Sequence, residues 1–485
     1  MVPIKREQNK IGKQGLCALL SICVTAVCLQ TPQFASGPGI SVYDAVSVEE
    51  SVTLHTELLT AVDSPDSALD AVSRQANAMT DEQKRNPSDS DQAVLFAEAA
   101  IAAAVRKTDA APVIHISEQT LSALAKTALD VRDKAAKTLT DNGVAVTRKV
   151  AATATLETSD SAFTLVIHSD ILNTAADKIR VRKTTAPEFS ITFRPADFEE
   201  ELRPDEQNPA PRTLSIAVEM TAGECEPGTS VPIPNVKLEA PNGQLSAPVT
   251  LSLNPGSNEP STLAVCGKSG ENAPCRYNPA SRTLDARLDA SDVYTFGKRN
   301  VYFSDLTEQD RKVRMAVEAL ARVNVVYGYP DHTFHPERAV TRAEFVAFVM
   351  RVLGRVNNSL KSPFADVTEE NGCYHEIASA YYYGIIKGYD EEHFCGEKLI
   401  SKTQIYAILG RILENEMGYW VPESPGEYLS REFTDTVDEW AQAEVALATR
   451  EGLVIRQSTG CFDGQRTMDR GDVALIIYGL YQRLA

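Results

Sequence analysis

The tightest constraint on this chain is internal recurrence. A Phe-x-Asp triplet stands at Phe303-Ser304-Asp305, Phe364-Ala365-Asp366 and Phe433-Thr434-Asp435, at separations of 61 and 69 residues. A second motif follows each triplet: Val340-Thr341-Arg342-Ala343-Glu344-Phe345, Ile400-Ser401-Lys402-Thr403-Gln404-Ile405 and Met468-Asp469-Arg470-Gly471-Asp472-Val473, at separations of 60 and 68. Two motifs that keep their spacing to within one residue describe one folded module used repeatedly, because self-similarity at a near-fixed period marks repeated supersecondary units. Between the motifs the first copy carries Val317, Leu320 and Ala321 at helical spacing, then the loop Tyr327-Gly328-Tyr329-Pro330-Asp331-His332-Thr333-Phe334. The second loop is Lys387-Gly388-Tyr389-Asp390-Glu391-Glu392-His393-Phe394, and the third, 455–462, lacks the Gly-Tyr pair.

The closing motif has a local physical meaning. Thr341-x-x-Glu344 has the form of a capping box, in which the threonine oxygen accepts from the third helical amide and the glutamate reaches back to the cap amide. A helix is therefore expected to begin there. Ser401 with Gln404 can make the same two bonds, whereas Asp469 with Asp472 keeps a good cap and has a shorter return. The cap does not account for the cation at the second position, which is Arg342, Lys402 and Arg470. A cation in the first turn opposes the helix dipole. It should either pair with a nearby carboxylate or join the free amides of the helix end in an anion site.

Together these motifs resemble the surface-layer-homology family, whose repeats have a Phe-x-Asp opening, a Gly-Tyr-x-Asp-Gly-Thr-Phe-x-Pro loop and an Ile-Thr-Arg-Ala-Glu close. The resemblance covers residues 302–485 and is closest in the first copy. It implies an all-α trimer of repeats in a pseudo-threefold arrangement. It also implies binding of secondary cell-wall polysaccharide in grooves between repeats, commonly through a pyruvylated amino sugar whose ketal carboxylate is the anion. On that resemblance Arg342, Lys402 and Arg470 bind the anion, Gly328 and Gly388 allow close backbone approach, and Tyr329 and Tyr389 stack on sugar. Asp305, Asp366 and Asp435 are expected to cap the first helix of each repeat or to bond ligand hydroxyls. Lys402 offers a point charge where arginine offers a fork, so its groove should bind more weakly.

Upstream of the repeats the pattern changes twice. Val94, Ala97, Ile101, Ala104 and Val105 recur at helical spacing, and a second helix is expected over 117–141 with Asn142-Gly143 as its stop. From residue 144 the period is two: 150–156, 163–168, 178–182, 189–194, 213–220 and 249–253 read as strands, with further strands between 277 and 296. An antiparallel β-sandwich-like domain is expected, with the acidic, proline-containing stretch 195–212 as an exposed loop. The chain is thus expected to be multi-domain α+β: signal 1–36, helical region 37–143, β-domain 144–298, and repeats 299–357, 358–425 and 426–485.

Lys5, Arg6, Lys10 and Lys13 precede the apolar stretch 16–29, which reads as a secretory signal too short to span a bilayer. Removing 1–36, with four positive charges and one negative, takes the formal charge from −18 to −21. An acidic surface excludes nucleic acid as a partner class, since binding phosphates needs clustered Lys and Arg. Six of the nine cysteines lie beyond the signal, at 225, 266, 275, 373, 395 and 461. Export permits disulfides, and Cys266–Cys275 and Cys373–Cys395 are the first pairs to test. There is no His-Glu-x-x-His helix, Gly-x-Ser-x-Gly elbow or phosphate-binding glycine loop. Acid pairs such as Asp197 and Glu200 are expected by abundance alone, and His115 and His168 read as ordinary edge residues.

The expectation is a secreted, non-catalytic protein of the cell wall or surface layer, without metal, cofactor or membrane span after signal removal. It would be held on wall polysaccharide, with other surface-layer proteins as further partners, and would act as a lattice component or adhesin. The alternative is an anchored polysaccharide-degrading enzyme with its activity in residues 40–298.

Overall fold

Helix starts in the first folded stretch are written in their caps. The computed structural model describes residues 58–484 apart from 109–110, 204–209, 222, 224–232, 257–262, 270–271, 279–280 and 307–310. The expected signal and Cys225 lie outside the described residues. Ser64 and Ser67 form a capping box ahead of α1 (Pro65–Ala78), Thr80 and Gln83 another ahead of α2 (Asp81–Arg85), and Asn86 accepts from two amides of α3 (Pro87–Ala104). Strands β1 (Arg106–Thr108) and β2 (Val113–Ile116) follow, then the 24-residue α4 (Glu118–Asp141), capped by Ser117. The helix placements follow the periodicity to within a turn.

The expected strands are present as β3 (Thr153–Thr158), β4 (Ala162–His168), β5 (Lys178–Lys183), β6 (Phe189–Phe193), β7 (Thr213–Thr221) and β9 (Gln244–Leu253). So are β12 (Cys275–Asn278), β13 (Thr283–Ala290) and β14 (Asp292–Lys298). Period-two alternation does not mark β1, β2, β8 (Asn235–Glu239), β10 (Leu263–Gly267) or β11 (Asn272–Ala273). These are short, so period two has too few turns to register. Two seven-stranded sheets result, ordered β1-β3-β5-β6-β9-β13-β12 and β11-β10-β14-β8-β7-β4-β2.

The sheets are mixed where an antiparallel arrangement was expected. β1 with β3, β3 with β5, and β2 with β4 are parallel. A parallel pair needs a crossover of a dozen residues or more: α4 supplies it for β1 with β3 and β2 with β4, while for β3 with β5 the chain crosses through β4 of the other sheet and the turn Ser169–Asn173. Helix α4 buries Leu121 and Ala125 in the core beneath the sheets, and Ala128, Val131, Ala135 and Leu139 in a second cluster with α1 and α3. One helix thus joins two cores.

The first core continues without a break from sheet residues such as Leu165, Ile179 and Leu251 into Phe345 of the C-terminal helices and Phe303, Phe394 and Phe462 of the segments between them. These helices are α6 (Arg311–Arg322), α7 (Arg342–Leu353), α8 (Tyr374–Tyr382), α9 (Lys402–Arg411), α10 (Pro425–Glu432), α11 (Gln442–Arg450) and α12 (Arg470–Tyr481). Among the described residues no helix is long and apolar enough to cross a membrane.

Residues 195–202 depart from the exposed loop expected of 195–212. A 3-10 turn at Pro195–Phe198 and the short α5 (Glu199–Leu202) bury Phe198 and Leu202. Asp197 accepts from Arg194 at 2.8 and 2.9 Å and from Arg355 Nη2 at 2.8 Å, while Arg194 and Arg355 both also bond Glu416. Half-buried Arg287 completes a group of three guanidiniums against two carboxylates. Burial first, then Arg355 and Arg194, push Arg287 down to about 10. Burial would raise the Asp197 carboxyl, but Arg194 and Arg355 outweigh it and hold it below its ordinary range. Asp197 is thereby unsuited to be a proton donor near neutral pH.

A second buried cluster joins the N-terminal helices to the rest. Arg148 donates to Asp91 and to Glu98, both at 2.6 Å, and lies 5.8 Å from the Tyr419 ring centre. Burial raises the Glu98 pKa, yet Arg148, Lys178 and the Ala151 amide outweigh it and hold Glu98 at about 2 against an ordinary 4.5. A carboxylate whose folded pKa is depressed contributes stability that is fully present above its unfolded value and is lost as pH falls through the folded one. Unfolding by urea across pH 5 to 2 should therefore show a falling limb that Glu98→Gln flattens. An identical limb in the variant would remove Glu98 from the account.

Both proposed disulfides are absent: Cys266, Cys275, Cys373 and Cys395 are thiols. In β10, Val265 points into the core and its neighbour Cys266 to the opposite face, while Cys275 on the other sheet is buried in the core. Cys373 stands at the start of α8, partly buried against the core, whereas Cys395 occupies a left-handed turn at φ 57°. Burial pushes the Cys275 thiol up to about 12 and the Cys373 thiol up to about 11, which keeps both protonated.

Candidate functional site

The recurring motifs converge on one construction. The capping boxes form at Thr341 with Glu344 and at Ser401 with Gln404, and Asp469 accepts from the Asp472 amide without a reciprocal bond. Each of these helix ends docks on the loop of another copy. The Arg342 amide donates to Lys398 O, the Lys402 amide to Arg466 O and the Arg470 amide to Arg338 O, at 2.9, 2.8 and 2.9 Å. The next amides repeat the order: Ala343 to Gly396, Thr403 to Gly464 and Gly471 to Pro336. The donors run from first copy to second, second to third and third back to first.

The three cations follow the same circuit and face the protein, where a ligand had been expected. Arg342 donates to Phe394 O at 3.2 Å and Lys387 O at 3.4 Å, and its guanidinium lies 4.8 Å from the Phe394 ring centre. Lys402 donates to Ile455 O at 2.9 Å and lies 5.1 Å from Phe462. Arg470 donates to Phe334 O at 2.9 Å and Tyr327 O at 2.8 Å, 4.4 Å from the Phe334 ring. They are 6%, 1% and 5% exposed. Burial lowers the pKa of all three. Carbonyl bonds and aromatic faces offset the cost of desolvating them, and their role is to hold each loop against its neighbour.

The three aspartates do related work. Asp305 accepts from the Phe334 and His335 amides, Asp366 from Phe394 and Cys395, and Asp435 from Phe462 and Asp463, at 2.6–2.8 Å. They clamp the loops. The residue at the start of α8 is Cys373 and that of α11 is Ala441, so Asp366 and Asp435 cap neither helix. The second clamped residue, His335, Cys395 or Asp463, has φ of 55°, 57° or 53°, a conformation that L-residues adopt only when the surroundings hold it.

Gly328 and Gly388 are explained by packing. A Cβ at Gly328 would stand 2.2 Å from Phe303 Cε1, and one at Gly388 would stand 2.6 Å from Phe364 Cε1. The opening phenylalanine therefore requires the loop glycine. Tyr329 and Tyr389 sit on the rims: Arg338 donates to the Tyr329 hydroxyl at 3.0 Å, and Lys398 Nζ lies 4.1 Å from the Tyr389 ring centre.

Sequence reasoning missed a second recurrent cation, four residues before the buried one: Arg338, Lys398 and Arg466. These reach solvent, Lys398 and Arg466 being exposed and Arg338 half-buried. Their fixed spacing was the available signal. A cleft of about 450 Å³ runs beside α7, lined by Arg338, Glu344, Glu370 and Glu397 among others. The two edge histidines, His115 and His168, meet across β2 and β4 with ring nitrogens 3.0 Å apart. Among the described residues, no three His, Cys, Asp or Glu side chains gather to hold a metal.

Comparison with known proteins places a name on the first copy. Residues 303–346 match the S-layer homology domain family. The chain is 28% identical over 190 residues, 38% of its length, to a cellulosome-anchoring protein of Acetivibrio thermocellus, and covers 39% of that protein. It is 30% identical over 180 residues, 36% of its length, to a cell surface protein of Thermoanaerobacter kivui, covering 20% of it. It is also 29% identical over 257 residues, 50% of its length, to an amylopullulanase of Thermoanaerobacterium thermosulfurigenes, covering 13%. The chain thus spans well under half the length of these relatives. The chain carries an S-layer homology domain over residues 303–346 and is, by that domain, a cell-surface protein.

Proposed function

We propose that the chain is a non-catalytic surface protein held non-covalently on secondary cell-wall polysaccharide through residues 299–485, acting as three S-layer homology repeats in a pseudo-threefold arrangement. The observation that carries this reading is the loop clamp within the matched domain, Asp305 on Phe334 and His335, which recurs with Asp366 and with Asp435. Identical bonding in all three copies supports three modules of one kind, and the head-to-tail amide bonds supply the rotational order. The cleft beside α7 and the corresponding surfaces beside α9 and α12 are what is offered to the polymer. The two sheets, sharing a core with the repeats, are carried outward as a lattice component or adhesin.

The test is co-sedimentation of the full chain with purified sacculi of the producing organism, before and after chemical removal of pyruvyl groups. Binding that falls on depyruvylation is expected. Binding that persists unchanged would reject carboxylate recognition, and no binding would reject wall anchoring. The relative named amylopullulanase motivates a second assay, release of reducing sugar from starch, xylan and cellulose by the full chain. No turnover is expected, and measurable turnover would overturn the non-catalytic reading.

A further inference from the structure

We propose that the cleft between α9 and the turn at 439–441 is the polysaccharide-binding cleft, in preference to its two counterparts. This rests on wall anchoring through the repeats. The cleft beside α7 has corresponding positions beside α9 and α12, so the chemistry of the three surfaces can be compared position by position.

The cleft beside α7 is acidic. Glu344, Glu370 and Glu397 line it with Arg338, whose guanidinium is committed to Glu344 and the Tyr329 hydroxyl. Three carboxylates against Arg338, with the buried Arg470 guanidinium 3.9 Å behind Glu344, leave the lining more acidic than its counterparts and unfavourable to an anionic sugar. Gly372 stands where an aromatic ring could meet a pyranose face.

Beside α9 the same positions hold Lys398, Gln404, Asp438 and Gln465. Two carboxylates have become amides, and among the described residues Lys398 contacts the Tyr389 ring with no carboxylate paired to it. The position of Gly372 is taken by Trp440, 58% exposed, and Tyr389 is 50% exposed. The parts are tied together: Gln404 Nε2 donates to the Tyr389 hydroxyl at 3.3 Å and Gln465 Nε2 to Asp438 Oδ2 at 3.1 Å, two residues from Trp440. One ammonium against one carboxylate, Asp438, which is already engaged by Gln465, leaves two amide groups and two exposed rings that suit an acidic sugar, with rings stacking on the apolar face and polar groups meeting hydroxyls and carboxylate.

Beside α12 the counterparts are Arg466, paired with Asp472 at 3.3 Å, and Glu337. Gln457 replaces the loop tyrosine and Lys312 the tryptophan. That cleft keeps a cation and has neither ring.

Full-length variants and purified sacculi test the assignment, with thermal melts checking the fold. Trp440→Ala, and separately the double change Gln404→Glu with Gln465→Glu, should each lower sacculus affinity about tenfold or more, the effect of removing a binding anchor or reversing a local field. Arg338→Ala should stay within about twofold, on the same scale. Release by Arg338→Ala with retention by the α9 variants would overturn the choice of cleft. Failure of the unaltered chain to sediment would instead overturn the anchoring reading, and this assignment with it.

Discussion

Replacing Asp197 with alanine should destabilise the fold by about 3–5 kcal/mol, the cost of breaking a buried charge group by removing one partner. Asp197 takes three charge-assisted bonds from Arg194 and Arg355. Its loss would leave three guanidiniums facing Glu416 alone. Arg355→Ala removes two bonds but also relieves the repulsion that pushes Arg287 down, so its cost should be the smaller of the two. Urea unfolding of both variants measures this, urea being preferred because it does not screen charge. Equal costs, or a larger loss for Arg355→Ala, would contradict the charge balance. Because the group joins the turn at 195–198 to Glu416 beyond α9, Asp197→Ala should also raise proteolysis between the sheets and the C-terminal helices.

Arg470→Ala should cost about 2–4 kcal/mol, since it strands the buried Phe334 carbonyl and the part-buried Tyr327 carbonyl and empties a site against Phe334 and Phe348. A ligand-facing arginine would behave differently: its loss would weaken sacculus binding and leave the melt unchanged. Arg470→Lys discriminates further. One ammonium cannot reach the Tyr327 and Phe334 carbonyls in the geometry of a fork, so partial rescue of stability is expected. Full stability in Arg470→Ala would remove its loop-holding role.

The local code of the repeats was legible in sequence. Thr341 with Glu344 and Ser401 with Gln404 specify their helix starts because both partners of a capping box lie within one turn. The spacing of the motifs, the α3 and α4 periodicity and the longer alternating strands were legible for the same reason, since each is a property of neighbouring residues. Strands β1 and β2 were not, because three or four residues carry too little period, and their parallel pairing depends on where α4 delivers the chain.

Sequence alone determined that two motifs recur three times in step, where the closing helices begin, and that a cation stands at the first position of each. Only the tertiary structure decided which way those cations face. Arg342, Lys402 and Arg470 each bond carbonyls of another copy's loop, and burial against Phe394, Phe462 and Phe334 turns charges expected at a ligand into supports for the fold. The physical reason is that these side chains find partners 45 to 143 residues away in the chain, the carbonyls of Lys387 and Tyr327 among them, and local pattern carries no record of that distance.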